Sequence, residues 1–217
     1  MSNRPVIQKL VVALALGFAG ASLWSIPQAS AWFAPEPDPI PRRWQLDLKP
    51  GPLRLANVTL RDGTTRAYLY MTYRATNRTG EDVLFAPSFE LADGEGTVLR
   101  SGRGVPLDVA SKIQDDLNNP FLEDQISVLG MMLQGDENAK DGIVVWPMGN
   151  LTASEITVYA AGFSGEVAQV EIKDAKTGAL VKEPMYKTFM ARYKTGGDMS
   201  RRGSEALEPF ESTWIMR

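Results

Sequence analysis

The stretch Arg66-Ala67-Tyr68-Leu69-Tyr70-Met71-Thr72-Tyr73-Arg74-Ala75-Thr76 decides the fold. Its side chains separate by parity. Tyr68, Tyr70, Thr72, Arg74 and Thr76 fall on one side, and Leu69, Met71, Tyr73 and Ala75 on the other. A period of two, rich in aromatic and β-branched residues, is that of a strand. Asp62-Gly63 before it is a hairpin turn signal, and Asn77-Arg78-Thr79-Gly80 after it closes it as a turn.

Working outward, the same grammar repeats. Trp44, Leu46 and Leu48 alternate with Gln45, Asp47 and Lys49, which predicts a strand. Pro50-Gly51-Pro52 reads as a turn before a second strand carrying Leu53, Leu55 and Val58. Val83–Leu91 is a strand interrupted at Pro87, which places an edge or a bulge there. Asp93-Gly94-Glu95-Gly96 turns the chain into Thr97–Arg100. Further strands are expected at Ile143–Pro147, Glu155–Ala161, Val167–Ile172 and Tyr186–Tyr193, with a turn at Lys176-Thr177-Gly178. Residues 196–208 read as a polar loop, and Thr213–Arg217 is apolar enough to dock on the body. Short strands joined by Gly and Asp turns predict a mainly β chain, an immunoglobulin-like antiparallel β-sandwich over residues 44–217.

The pattern changes around 105–134. Val109, Ile113 and Leu117 recur at helical spacing, as do Leu122, Ile126, Leu129 and Leu133 beyond the stop at Asn118-Asn119-Pro120. A helical or irregular insertion is expected there, with 125–133 as an alternative strand. Ahead of the domain, Arg4 and Lys9 flank an apolar run, Leu10–Ile26, which ends in Ala29-Ser30-Ala31. This reads as a hydrophobic N-terminal helix at 1–31 that serves either as a signal peptide, cleaved before Trp32, or as a retained membrane anchor. Either role makes the rest extracytoplasmic, periplasmic or at the cell surface. Residues 32–43 hold four prolines and read as an extended linker.

Composition removes much of the catalytic repertoire. The chain has no Cys and no His, so disulfides, thiolate nucleophiles and Ser-His-Asp arrangements are excluded. Zinc, copper and non-haem iron centres are disfavoured with them. Without Arg4 and Lys9 the chain carries 21 basic against 26 acidic residues, which argues against a nucleic-acid partner. Arg42-Arg43 and Arg201-Arg202 are isolated basic pairs. What remains for chemistry is a carboxylate pair, a Ser-Lys pair or an oxygen-ligated cation.

Each has a candidate. Asp136, Asn138 and Asp141 form part of a calcium-type oxygen set, against the alternative of a solvated turn; Lys140 and the lack of a closing Glu depart from the EF-hand pattern. Otherwise no cofactor is expected. Asp115, Asp116, Glu123 and Asp124 flank a chain break and offer carboxylates for an acid–base pair acting on polysaccharide. Ser164 lies between Phe163 and Gly165 but lacks the flanking glycines of a nucleophile elbow. Asn57, Asn77 and Asn150 each start an Asn-x-Thr triplet, silent in a bacterial export context. Trp44, Tyr68, Tyr70, Tyr73, Trp146 and Trp214 are split between a carbohydrate groove and ordinary packing.

Two resemblances follow from these words. Tyr68–Leu99, with Asn77-Arg78-Thr79-Gly80-Glu81-Asp82 and Phe89-Glu90-Leu91, resembles the bacterial secreted telokin-like, immunoglobulin-fold domains. Gly135 and Gly142-Ile143-Val144-Val145-Trp146-Pro147 look like their strand leading to a proline. The whole chain after residue 31 is also similar to a group of exported planctomycete proteins with no assigned activity. Trp44-Gln45-Leu46-Asp47, Asn119-Pro120-Phe121-Leu122-Glu123, Leu133–Asp141, Phe163-Ser164-Gly165-Glu166 and Trp214-Ile215-Met216-Arg217 carry that likeness. It implies export and a β fold and transfers no catalytic residue. The expectation is a non-catalytic module that binds another protein or a cell-envelope component, with the 105–141 insertion as its contact surface. A membrane-anchored accessory subunit and a carboxylate-dependent polysaccharide enzyme are the alternatives.

Overall fold

The computed structural model describes residues 34–149, 151, 153–174, 177–196, 199 and 205–217. The segment 1–31, Trp32 and Phe33, Asn150 and Thr152 of the third triplet, Lys176 and the Arg201-Arg202 pair lie outside the described residues. In chain order the elements are β1 (Asp47–Thr59), β2 (Thr65–Asn77), β3 (Val83–Phe85), β4 (Ser88–Asp93), β5 (Val98–Arg100) and α1 (Leu107–Leu117). They continue with β6 (Leu122–Glu123), β7 (Gly130–Met132), β8 (Gly135–Pro147), β9 (Glu155–Ala161), β10 (Val167–Lys173), β11 (Leu180–Lys194) and β12 (Glu211–Met216). The protein is mainly β, built from several antiparallel sheets.

β1 and β2 form a long hairpin around Asp62-Gly63. Gly63 takes φ 82°, and the Asp62 carboxylate accepts from the Thr64 backbone and hydroxyl. β1 is one strand rather than two. It runs through Pro50-Gly51-Pro52 with a register shift between Pro50 and Leu53, which an edge strand tolerates because its outer side is met only by an isolated bridge, Leu53 with Leu207, and not by a full ladder. Gly51 is needed there, since a Cβ would stand 2.8 Å from the Thr72 carbonyl oxygen.

One sheet has the order β1-β2-β8-β6, with β6 parallel to β8. A second runs β10-β11-β9-β4-β5, with β12 also on β11. β3 and β7 make a small separate pair. The break at Pro87 moves the chain from β3 in the small sheet to β4 in the large one.

The parity of β2 sorts two cores. Leu69, Met71, Tyr73 and Ala75 meet Phe89, Leu91, Ile156, Val158, Ala160, Ala191 and Tyr193 from the second sheet. Tyr68 on the opposite face joins Val58, Ile143, Val145 and the α1 residues Val109 and Ile113. Helix, sheet and sheet are thus stacked in layers, and the middle sheet is covered on both faces. This is why Ile143–Trp146 is apolar without alternation: its neighbours alternate between the two cores.

The insertion is helical only in its first half. α1 buries Val109 and Ile113 as its spacing predicts, and ends with Asn118 in the left-handed region. The second stripe is not a helix. Asp124 captures the Ile126 and Ser127 N–H groups, and the chain then extends into β7. Burial falls on Val128 and Met132, while Ile126, Leu129 and Leu133 are exposed.

β11 continues past the sandwich. From Phe189 onward it pairs with β9 on one side, and from Lys187 to Arg192 with β12 on the other; before Lys187 it pairs with β10, and only Tyr186 also bonds Arg217 on the β12 side. β9 and β10 lie end to end along the same side of β11. The eight residues from Ala160 to Val167 span what four cover from Tyr186 to Phe189, so the chain loops out at Gly162–Glu166.

Candidate interaction surface

The four carboxylates flanking Pro120 have separate tasks. Asp115 and Asp116 are exposed on α1, and Asp116 pairs with Lys112 at 3.6 Å. Glu123 holds Lys140 at 3.0 Å. Asp124 caps a turn, accepting from Ile126 N–H at 2.7 Å, Ser127 N–H at 3.0 Å and the Ser127 hydroxyl at 2.7 Å. Burial pushes its carboxyl up, but these hydrogen bonds outweigh it and hold the group below the usual carboxylate range. A general acid needs the opposite shift.

The calcium candidates are not in a turn but along the polar half of β8. Asp136 accepts from Arg78, and Asp141 accepts both bonds of Arg74 at 3.2 and 3.0 Å. Asn138 donates its amide to the Gln134 carbonyl. Among the described residues no group of three or more acidic side chains is placed to hold a metal ion.

Ser164 accepts from the Glu166 backbone N–H at 3.2 Å. Lys187, buried nearby, donates to Glu166 Oε2 at 2.8 Å and to the Asp38 carbonyl at 3.0 Å. An ammonium engaged in both bonds is an ion-pair donor, not a base for a serine. Glu166 Oε1 in turn accepts from the Asp38 backbone N–H at 2.7 Å. The proline-rich segment is thereby fastened to the sheet, beside a cleft of about 680 Å³ against Trp214 and Ile215.

Most of the conspicuous aromatics are packing. Tyr68, Tyr73 and Trp146 are buried, and Tyr73 stacks with Phe89 and Phe163 at 4.7 and 5.8 Å. Burial also drives the Tyr73 hydroxyl well above its ordinary pKa, and that of Tyr193 to about 12. Asn57 is exposed on β1. Asn77 is fully buried and satisfied. Its amide nitrogen donates to the Glu81 and Met132 carbonyls, and its oxygen accepts from Thr79 N–H and hydroxyl.

The unsatisfied surface is apolar. Leu84 and Met131 stand directly opposite each other on β3 and β7, 67% and 57% exposed. Their neighbours Val83, Phe85 and Met132 face the core. Leu129 and Leu133, two residues to either side of Met131, are half exposed as well. Six of the fourteen large apolar side chains exposed among the described residues fall between Leu107 and Leu133. Two of them, Leu107 and Ile126, edge a cleft of about 370 Å³ between α1 and the Asp124 turn. Leu84, Met131, Leu129 and Leu133 thus give the β3–β7 pair an exposed apolar outer face. The 105–141 stretch expected as a contact surface contains Met131 but not its partner Leu84. The alternation of Leu129, Met131 and Leu133 with Gly130, Met132 and Gln134 was the available signal.

No family model, curated protein or solved structure matches the chain.

Proposed function

We propose that this protein is a non-catalytic extracytoplasmic β-sandwich, immunoglobulin-like in its packing of two antiparallel sheets, that binds another protein through the outer face of β3–β7. The observation that carries the reading is the exposed cross-strand pair Leu84–Met131, with Leu129 and Leu133 beside it. Aliphatic side chains without aromatic platforms or free polar groups suit a protein surface better than a polysaccharide, which is gripped by stacking and hydroxyl hydrogen bonds. The N-terminal segment 1–31 supports export, with the partner in the cell envelope; retention of that segment makes the same module a membrane-anchored accessory subunit. Of the carboxylates proposed for polysaccharide chemistry, Asp116, Glu123 and Asp124 bond Lys112, Lys140 and a local turn, and Asp115 is exposed on α1, which favours the binding reading over the enzyme alternative.

The test is retention of envelope proteins by the folded domain and by a Leu84→Glu/Met131→Lys double variant, whose opposite charges face each other across the strand pair. Both positions face outward, so the urea midpoint should be unchanged while retention of a specific protein falls at least tenfold. Equal retention by the two forms rejects this surface.

A further inference from the structure

We infer that the ribbon formed by β10 and the first half of β11 is a dimerisation arm that pairs with the same arm of a second copy of this chain, β10 against β10. The ribbon carries residues 167–173 opposite 180–186, with Val167 facing Tyr186 and Lys173 facing Leu180. Among the described residues no strand pairs with the outer edge of β10, and the outer edge of β11 meets only Arg217, at Tyr186. Directly opposed residues share a face of a sheet. Ala168, Val170, Ile172, Val181 and Met185 therefore lie together on one face, where Glu183 is the single charged residue. On that face Val181 is exposed and Ala168, Val170 and Ile172 are half-buried, while Val167, Leu180 and Tyr186 are exposed on the opposite face. Two strands with an apolar face and no third partner are marginally stable in water.

The two edges differ, and the difference selects the partner. The Lys187 N–H donates to the Glu166 carbonyl, whereas Tyr186 exchanges both its hydrogen bonds with Arg217 on the other side. Backbone groups alternate along a strand, so on β11 the even-numbered residues face away from β10. Pro184 is among them, and it has no N–H to offer. That edge is blunted. On β10 the same alternation turns the N–H and C=O groups of Val167, Gln169, Glu171 and Lys173 outward. This run contains no proline, and its register with β11 is unbroken.

The open edge is complementary to itself. An antiparallel pairing about a two-fold axis at Val170 sets Gln169 opposite Glu171 of the second copy, and Val167 opposite its Lys173. Every outward backbone group then meets another outward group. On the apolar face, Val170 lies against its own symmetry mate and Ala168 against Ile172. No like charges oppose each other in this register, whereas a slip that centres the axis on Glu171 would set two carboxylates face to face. A closed two-fold contact of this kind extends two ribbons into one four-stranded sheet and stops at a dimer.

The experiment is sedimentation of the chain, as isolated from cells, across a range of concentrations. The wild type should sediment as a dimer. Gln169→Pro removes an outward N–H that makes no bond within the ribbon, and it should weaken the dimer at least tenfold without changing the thermal midpoint of the monomer. Val170→Glu and Val170→Lys, each alone, should be monomeric by repulsion across the axis. An equimolar mixture of these two should restore a heterodimer. A wild type that stays monomeric throughout, a dimer indifferent to Gln169→Pro, or a mixture that fails to reassociate would each overturn the proposal.

Discussion

The Lys187 ammonium stands 2.8 Å from the Glu166 carboxylate, and their side chains are only 4% and 14% exposed. Together they grip both backbone groups of Asp38, the N–H by Glu166 and the carbonyl by Lys187. A buried pair contributes little net stability over an apolar replacement, but removal of one partner strands the other charge. Glu166→Gln should therefore cost about 3 kcal/mol in urea denaturation. Adding Lys187→Met should recover much of that loss, while the proline-rich segment stays released in both variants, as limited proteolysis near Arg42 would show.

The same clamp is sensitive to acid. Burial raises the Glu166 carboxyl, but the Lys187 hydrogen bond, the Asp38 N–H and the Lys187 and Arg42 charges outweigh it, and its pKa lies below the ordinary 4.5. A depressed carboxyl stabilises the fold fully above its ordinary value, and that stabilisation is lost as pH falls through the depressed one. Protection of the Asp38 amide, expressed relative to the unfolded chain at each pH, should hold at pH 6 and collapse well below 4.5. Glu166→Gln should show no such step.

Ile113 anchors the helical layer against the sheet and is almost fully buried. Ile113→Ala should destabilise the domain by about 3 kcal/mol, in the range for a large-to-small change in a packed core. Because α1 covers only the outer core, near-ultraviolet signals from the Tyr73–Phe89–Phe163 cluster should persist in the folded variant.

Asn77 ties the turn after β2 to β7. Asn77→Ala removes the side-chain donor to the Met132 carbonyl and leaves the Glu81 carbonyl to the Thr79 hydroxyl, and it should cost about 2 kcal/mol by chemical denaturation. Expressed through a eukaryotic secretory route, the folded protein should carry glycan at exposed Asn57 and, once folded, accept none at buried Asn77.

Much of the layer structure was legible, because parity is a local signal. The two faces of β2 and the Val109–Ile113–Leu117 stripe of α1 went where their spacing sent them. Pro50-Gly51-Pro52 misled because prolines end a central strand but not an edge strand, and edge position is a property of the sheet rather than of the triplet. Leu122, Ile126, Leu129 and Leu133 fit a helix by spacing, yet one side-chain cap at Asp124 outweighs the stripe and turns the chain into β7. Lys187 and Glu166 were invisible as a pair, since 21 residues separate them and only the loop at Gly162–Glu166 brings them together. The exposed Leu84 gave no warning in a three-residue apolar strand, where inside and outside cannot be told apart.

Ile143–Trp146 is apolar on both faces, so a one-residue slide of β8 along β2 would exchange one greasy surface for another at little cost in burial. Polarity, which normally fixes alignment, is silent there. The alignment is fixed by the acidic half of the same strand. Arg74 chelates Asp141, and the next position, Gly142, lies against Tyr73 with no room for a Cβ. Any slide would drive a side chain into that ring and pull the carboxylate from its arginine. The run that looked like a cation loop works as a key: it lets the strand enter the sheet in one position only.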